Sequence, residues 1–180
     1  LVRSRLEGRP LLPKDLWQVK GVIVGGTDTA IYRQKLVEYW GVEPREAYGC
    51  TEALGPMAVQ TWSGEGLYFL PDACFFEFVP EDEWAIGRED PTYIPRTVLL
   101  DEVEAGARYE VVITSFHGGS FLRYRLHDLV RFVSLRDEQA GIDLPSITFA
   151  GRDHDLIDLA GFTGLIDEKF FWQAIANTGI

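Results

Sequence analysis

The stretch "EAYGCTEALG", residues 46–55, groups side chains whose types suit ligand binding. Tyr48 offers a flat aromatic face with a polar tip, which suits stacking on a planar ring. Thr51 supplies a hydroxyl for an anionic oxygen, and Glu52 supplies the hard oxygen ligands that Mg²⁺ prefers. Each also has a structural reading: a core aromatic, a turn hydroxyl bonded to its own backbone, and a solvated surface carboxylate. Loops on rigid scaffolds concentrate binding groups, so the grouping favours a shared site.

Two charged side chains further along the chain add complementary chemistry. The carboxylate of Asp128 has two acceptor oxygens and can take both hydrogens of a diol; alternatively it caps a turn or strand end. Arg152 presents a planar fork of donors for sugar or phosphate oxygens. Its alternative is a surface ion pair with Asp153 or Asp155.

Glycines add a third kind of candidate. Gly25 and Gly26, followed by Thr27, allow close approach of backbone to a ligand, and a strand-to-helix turn needs the same residues. Gly49 lies within the first stretch, between Tyr48 and Thr51.

An α/β unit over residues 21–50 is predicted to position the first group. "GVIVGG" (21–26) is an apolar run between glycines, typical of a buried strand. Apolar side chains at positions 32, 36, 39 and 40 share one helical face. Asp28 or Thr29 can cap this helix, and Gly41 is a fitting end. "PREAY" then leads into the quoted turn.

The chain after Pro56 predicts an antiparallel sheet or small barrel. Short aromatic or β-branched segments recur between Gly, Pro and acidic turns: "GLYFLP", "CFFEFVP", "RTVLLDEV", "RYEVVITSF", "FLRYRL", "DLVRFVSL" and "SITFAG". "EVEAGARYEVV" indicates a hairpin, and Asp167 can cap a last helix. The expected fold class is therefore mixed α/β: an α/β layer followed by a barrel-like antiparallel subdomain.

Composition limits the function classes. The 180 residues carry 17 basic and 28 acidic side chains, a net charge of −11, which argues against general nucleic-acid binding. No apolar run approaches a membrane span, and no signal peptide is visible. The two cysteines form no disulfide framework, so we expect reduced thiols and a cytoplasmic setting. The three histidines lack the spacing of a zinc site.

Three motifs now appear in order. "YGCTE" (48–52) resembles the YGxTE motif of the adenylate-forming superfamily, "YRLHDLVR" (124–131) its YRTGDLxR motif, and "GRDHDLIDLAG" (151–161) its GRxDDxIKxxG motif. The segments "LLPKDLWQVKGVIVGG", "LPDACFFEFVP" and "RYEVVITSFHGGSFLRYRLHDLVRF" are more closely similar to acyl-acid amido synthetases of the auxin-responsive promoter family and their bacterial relatives.

The resemblance implies an enzyme that activates a carboxylic acid with ATP and Mg²⁺, releases pyrophosphate and passes the acyl group to an amino acid. An acyl-CoA ligase using coenzyme A and a non-catalytic nucleotide-binding domain are the alternatives. No nucleic-acid or membrane partner is expected. The implied segments are 1–60 (α/β layer with the adenine and phosphate turn), 61–150 (antiparallel subdomain with the ribose motif) and 151–180 (hinge and first helix toward a C-terminal domain).

The resemblance also assigns roles. Thr51 and Glu52 are the catalytic candidates: Thr51 meets the α-phosphate and Glu52 holds the metal. Asp128 binds the ribose 2′- and 3′-hydroxyls. The remaining nucleotide contacts are assigned to Gly25, Gly26 and Thr27 along the adenine, to Tyr48 and Gly49 at the adenine, and to Arg152 at ribose or phosphate oxygens.

The sequence departs from the superfamily pattern in two places. His127 stands where a Gly usually precedes the ribose aspartate, and Asp158 stands where a Lys follows the hinge aspartate, here Asp155. Residues 1–45 contain no Ser/Thr/Gly-rich phosphate loop, and Lys169 comes too early for the catalytic lysine. The chain therefore resembles a fragment, expected to be inactive alone.

Overall fold

The computed structural model describes residues 8–25, 32–62, 66–152, 157–158, 165–166, 174–175 and 177–178. Three helices have more than two consecutive described residues: α1 (Pro13–Leu16), α2 (Arg33–Trp40) and α3 (Glu81–Glu89). The strands are β1 (Val22–Val24), β2 (Pro44–Cys50), β3 (Gly55–Gln60), β4 (Leu67–Phe69), β5 (Phe75–Pro80), β6 (Arg108–Ser115), β7 (Phe121–Ser134), β8 (Ser146–Arg152), β9 (Ile157–Asp158) and β10 (Leu165–Ile166).

Eight strands form one sheet, in the order β1-β2-β3-β4-β8-β7-β6-β5. Strands β1 and β2 pair in parallel, and every other pairing in this sheet is antiparallel. Within the described residues β1 and β5 are the two edges, so the sheet stays open instead of closing as a barrel. The mixed α/β class is confirmed. The division into three segments stays a prediction, although β3 and β4 lie on either side of its first boundary and pair with each other.

The predicted strand–helix–strand unit is confirmed as β1, α2 and β2, but β1 is not the buried strand that was expected: it lies at the sheet edge and Ile23 is 79% exposed. The helix ends as expected at Gly41, which adopts φ 74° and donates its N–H to the carbonyl of Val37 at 2.8 Å. Glycine adopts this left-handed conformation without the clash that a Cβ causes. The predicted N-terminal caps, Asp28 and Thr29, lie outside the described residues.

Aromatic side chains from the antiparallel strands form the centre of the core. Phe69, Phe78 and Phe132 are fully buried, and Phe78 lies edge-on to the other two with ring centroids 5.2 Å apart. Tyr109 extends the cluster, 5.4 Å from Phe132. These residues lie on β4, β5, β6 and β7, so the core holds together the strands that surround the site.

Two predicted elements were wrong, and helices α1 and α3 were not predicted. "EVEAGARYEVV" is not a hairpin: the chain forms turns and loop before β6 begins at Arg108. "RTVLLDEV" is not a regular strand, because Val98 makes only an isolated bridge to Phe78. The first turn of α3 holds Glu81, Asp82 and Glu83, and negative charge there favours a helix N-terminus. The expected cap Asp167 lies outside the described residues.

"FLRYRL" and "DLVRFVSL" form one strand, β7, instead of two. Its alternation of apolar and polar residues predicted a half-buried strand, yet Leu122 is 68% exposed and Tyr124 is 41% exposed. The backbone of Arg123, between them, adopts φ 46°, and the register with β6 shifts beside it. A bulge re-aims the side chains around it, which breaks the alternation of period two.

The loop after α3 gives a pH prediction. Glu83 is buried and accepts hydrogen bonds from the Tyr93 hydroxyl at 2.5 Å and from the Arg96 backbone N–H and Nε at 3.0 and 2.8 Å. These bonds, the Tyr93 hydroxyl first, lower the pKa of Glu83 from 4.5 to about 2. A lowered pKa adds stability that is present above pH 4.5 and is lost as pH falls toward 2. We expect Glu83→Gln to destabilise the protein at pH 7.

The measurement is urea unfolding of the wild type and the variant at pH 7, 5, 4 and 3. The difference in free energy of unfolding should shrink steadily below pH 5. Glu89→Gln, at the exposed end of the same helix, controls for the loss of one negative charge. An undiminished difference at pH 3 would show that the carboxylate does not stabilise this loop.

Candidate functional site

Tyr48, Asp128 and Arg152, predicted from three separate motifs, meet in the folded chain. The Tyr48 hydroxyl donates to Oδ2 of Asp128 at 2.8 Å, and Nε of Arg152 donates to Oδ1 at 2.9 Å. Asp128 is only 4% exposed, whereas the Arg152 side chain is 63% exposed. A buried carboxylate needs such partners, because an unpaired charge in a low dielectric is costly. We call these three residues the carboxylate clasp.

The curvature of the sheet brings Tyr48 to Asp128. Their strands, β2 and β7, lie four steps apart in the sheet order, which in a flat sheet is a separation of roughly 19 Å. Their hydrogen bond at 2.8 Å therefore requires the sheet to curl strongly between them. The Tyr48 ring packs inside this curl, with centroids 6.4 Å from Phe69 and 6.0 Å from Phe149. The core-aromatic reading of Tyr48 thus holds for its ring, while its hydroxyl serves Asp128.

The environment of Tyr48 keeps its hydroxyl a proton donor. Burial first, and the neighbouring Asp128 carboxylate second, raise the pKa of Tyr48 well above its usual value of 10. A phenol that stays protonated can donate steadily to one carboxylate oxygen. Each oxygen of Asp128 has two acceptor positions, so the Tyr48 and Arg152 bonds leave acceptor capacity for a further ligand.

An irregularity in β7 aims Asp128. In the register between β6 and β7, Glu110 pairs with Leu129 and Val112 pairs with Arg125. One residue of β6 therefore faces three residues of β7, positions 126–128. Extra residues on one strand form a bulge that bends the strand and redirects its side chains.

His127 takes the strained position in this bulge, with φ 58°. The sequence left open whether the position before Asp128 needs a positive φ, and the structure answers that it does. A side chain with a Cβ costs about 1–2 kcal/mol in this region. The Nδ1 of His127 lies 3.2 Å from Oε1 of Glu110 on β6, an ion-pair distance without hydrogen-bond geometry.

Thr51 and Glu52 lie in the turn that joins β2 to β3, while Tyr48 and Gly49 lie at the end of β2 itself. The Thr51 hydroxyl donates to Oε2 of Glu52 at 3.0 Å. The backbone N–H of Glu52 and this hydroxyl lower the pKa of Glu52, and a weaker contribution comes from the Tyr124 side chain on β7. The Glu52 carboxylate is thus kept ionised and partly exposed.

The glycines of the site have a packing reason. A Cβ at Gly25 would lie 2.5 Å from the carbonyl oxygen of Ala47, so β1 and β2 need glycine there. A Cβ at Gly49 would overlap the carbonyl oxygen of Gly55 and lie 2.9 Å from Cα of Pro56. The register shift between Tyr48 and Gly49 produces this close approach. Gly26 and Thr27 lie outside the described residues.

Gly49→Ala therefore tests how tightly the end of β2 is packed. We expect a loss of about 2 kcal/mol in the free energy of unfolding, because the Cβ collides with backbone that cannot rotate away. Gly87→Ala in α3 is the matched control: its Cβ meets nothing within 4 Å, and alanine gains about 1 kcal/mol over glycine in a helix. Both values come from urea unfolding. Equal effects of the two changes would contradict the close approach of β2 and β3.

Two residues of the site region escaped the sequence analysis. Glu110 is fully buried, and Nε of Arg125 donates to its Oε1 at 2.9 Å, with a second bond from Nη2 to Oε2. The sequence contained a signal for a buried Glu110, because it is the one acidic residue inside the apolar run "YEVVI". A charge at a buried strand position needs a partner. The alternative partners of Arg152, Asp153 and Asp155, lie outside the described residues, as does Lys169.

Three further features of the described residues concern metal ligands, cysteine thiols and membrane-spanning helices. Among the described residues no three His, Cys, Asp or Glu side chains cluster as a metal site. Cys50 and Cys74 are free thiols, and burial raises the pKa of Cys74 to about 11. Across the part of the chain that the structure describes, no helix has the length and apolar character needed to traverse a bilayer.

Comparison with known families identifies the antiparallel part of the sheet. Residues 67–152 match the family model described as the GH3 family central domain. The chain carries a GH3 family central domain. Asp128 and Arg152 lie within the matched GH3 range, whereas Tyr48, Thr51 and Glu52 precede it. The resemblance to acyl-acid amido synthetases is thereby confirmed.

Curated GH3 relatives are plant amido synthetases. The jasmonoyl–L-amino acid synthetase GH3.5 of Oryza sativa subsp. japonica is 36% identical over 133 residues, covering 68% of this chain and 22% of that protein. The indole-3-acetic acid-amido synthetase GH3.4 of Arabidopsis thaliana is 29% identical over 108 residues, covering 60% of this chain and 16% of that protein. The chain thus spans about a fifth of the length of these relatives.

Solved structures share the fold. The GH3.15 acyl acid amido synthetase superposes with a TM-score of 0.62 at 25% identity, covering 91% of this chain and 27% of that one. The 2-hydroxyisobutyryl-CoA ligase in complex with 2-HIB-AMP, in its postadenylation state, gives a TM-score of 0.62 at 19% identity, covering 92% and 32%. At that identity the ligase shows the shared fold alone.

Proposed function

We propose that this chain supplies the nucleotide-binding part of an ATP-dependent ligase that activates a carboxylic acid as an acyl-adenylate and passes the acyl group to an amino acid. The observation that carries the proposal is the carboxylate clasp, where residues from three adenylate-forming motifs converge on the buried Asp128. The convergence of three motifs that lie far apart in sequence supports a single ligand that meets them all.

The nucleotide ribose is proposed to bind at Asp128. Its two oxygens each accept one protein hydrogen bond and can each accept one more, which suits the 2′- and 3′-hydroxyls of a ribose. The exposed guanidinium of Arg152 is a planar fork of donors, a geometry that suits ribose or phosphate oxygens. Tyr48 orients the carboxylate through its hydroxyl; its ring packs against Phe69 and Phe149, so only the exposed part of the ring is proposed to meet the adenine.

The phosphates and a magnesium ion are proposed to lie at the turn of Thr51 and Glu52. Mg²⁺ binds through one or two carboxylates together with substrate phosphates and water, so a single ionised Glu52 suffices without a protein cage. The ion would neutralise phosphate charge when bound. Thr51 then positions the α-phosphate with its hydroxyl, and the shared turn keeps the two side chains within hydrogen-bond distance of each other.

In the proposed reaction the acid carboxylate attacks the α-phosphorus of ATP, and the bond to pyrophosphate breaks. The amine of an amino acid then attacks the acyl carbon of the adenylate, and AMP leaves. An amino-acid acceptor is favoured over coenzyme A because the curated relatives are amido synthetases, whereas the CoA ligase neighbours share only the fold. The 180 residues alone are expected to complete no turnover.

The test is acid-dependent ATP–pyrophosphate exchange, measured over a panel of carboxylic acids in the longest natural protein that contains this chain. Exchange with one class of acid, followed by amino-acid-dependent AMP release, would support the amido synthetase. Exchange followed by AMP release only with coenzyme A would instead favour an acyl-CoA ligase. Folded protein that binds AMP but exchanges with no acid would overturn the ligase and favour a nucleotide-binding domain.

A further inference from the structure

Glu110 is a fully buried acid that no step of the proposed reaction uses. It lies on β6, directly opposite Leu129, next to the bulge in β7. Its carboxylate receives two bonds from the guanidinium of Arg125, which precedes the bulge, and lies 3.2 Å from Nδ1 of His127 inside it. One buried carboxylate thus contacts β7 on both sides of Leu126.

The residue that follows His127 is Asp128, the centre of the carboxylate clasp. His127 has φ 58°, a backbone region that residues with a Cβ enter only when their surroundings hold them there. Because the Asp128 side chain follows directly from this strained residue, its direction depends on the His127 backbone angle. The Glu110 carboxylate lies beside the imidazole on the neighbouring strand, where it can restrict that angle.

We propose that Glu110, Arg125 and His127 are positioning residues, which hold the β7 bulge so that Asp128 points into the clasp. This inference rests on the proposed function, because it assigns to these residues the geometry that ribose binding needs. Their effect on Asp128 is transmitted through the backbone of β7. His127 stands where the superfamily pattern has a glycine. Its side chain is proposed to hold the positive φ at this position and thereby to direct the Asp128 side chain.

His127→Gly separates the two contributions. Glycine adopts φ 58° without strain, so the variant should fold at least as stably as the wild type. It loses the imidazole contact with Glu110, so the bulge should loosen. We expect AMP to bind about tenfold more weakly while the melting temperature holds or rises. His127→Asn, which tolerates a positive φ and can donate to Glu110, should recover part of the affinity.

Arg123→Gly is the matched control. Arg123 also has a positive φ, 46°, and also pairs with a buried glutamate, Glu77, but at the other bulge of β7. The change removes the same kind of strain and the same kind of ion pair away from the clasp. AMP affinity should therefore stay within about twofold of the wild type.

A second measurement is independent of the ligand. Backbone hydrogen exchange over residues 126–129 should accelerate in His127→Gly and in Glu110→Gln, and should remain at the wild-type rate in Arg123→Gly. Unchanged AMP affinity in His127→Gly, beside a loss in Asp128→Asn, would overturn the positioning role and leave the ribose site standing. If the wild type binds no AMP, the proposed function is wrong. If the backbone hydrogen-exchange rate over residues 126–129 is unchanged in His127→Gly, the positioning role is wrong as well.

Discussion

Asp128→Asn should weaken AMP binding about a hundredfold. The variant keeps the size of the side chain but exchanges a carboxylate oxygen for an amide, so one of the two acceptors becomes a donor. Hydrogen bonds to a charged group contribute about 1.5–3 kcal/mol each, and the proposed ribose contact uses two. A loss near 3 kcal/mol corresponds to about two powers of ten in affinity.

The measurement is calorimetric titration of AMP into the longest natural protein that contains this chain, for the wild type and the variant. Asp143→Asn makes the same chemical change at an exposed position and should leave the affinity unaltered. Tyr48→Phe removes only the hydroxyl that orients Asp128, so a smaller loss of about three- to tenfold is expected. Undiminished binding in a folded Asp128→Asn variant would remove the ribose assignment.

Glu110→Gln should produce the largest loss of stability among single polar substitutions in the site region. The wild-type glutamate is fully buried and pairs with Arg125, whose side chain is 32% exposed, and with His127. Removing one member of a buried pair leaves the other charge without compensation, which costs about 3–5 kcal/mol in a closed interior. Partial access of water to Arg125 places the expected loss near the lower end, about 3 kcal/mol.

Urea unfolding at pH 7 measures this loss. Glu81→Gln is the matched control, because Glu81 also pairs with an arginine on β6, Arg108, but both side chains are partly exposed. Exposed pairs contribute about 1 kcal/mol or less. If Glu110→Gln and Glu81→Gln lower the free energy of unfolding by comparable amounts, burial does not make the Glu110–Arg125 pair more important for stability than an exposed pair.

Sequence motifs located most of the candidate site because its groups lie in short segments. Tyr48, Asp128 and Arg152 each stand in a motif of a few residues, and the family, the mixed α/β class and the unit of β1, α2 and β2 were all predicted and are confirmed. The roles of these residues, and those of Thr51 and Glu52, stay predictions. The nucleotide contacts assigned to Gly26 and Thr27 also stay predictions, because both residues lie outside the described part of the chain.

Irregular backbone explains most of what the sequence analysis got wrong. The alternation in β7 predicted one buried face, but the residues at φ 46° and 58° reset the alternation twice. The segment before Arg108 does contain a turn, closed by the Ala107 N–H on the carbonyl of Glu104, but Gly106 donates its N–H to the carbonyl of Phe132 on β7, so no hairpin forms. Such choices depend on a neighbouring strand that local patterns do not specify.

The amino-acid sequence determined which residues are available for nucleotide chemistry, since carboxylate, phenol, guanidinium and hydroxyl groups and the order of their motifs are local properties. Tertiary structure alone decided that Tyr48 and Arg152 share one carboxylate, because a bond across four strands depends on how far the sheet curls. It also decided that Glu110 lies beside the bulge that carries Asp128. Curvature and register are set by the packing of the whole aromatic core, and no short segment encodes them.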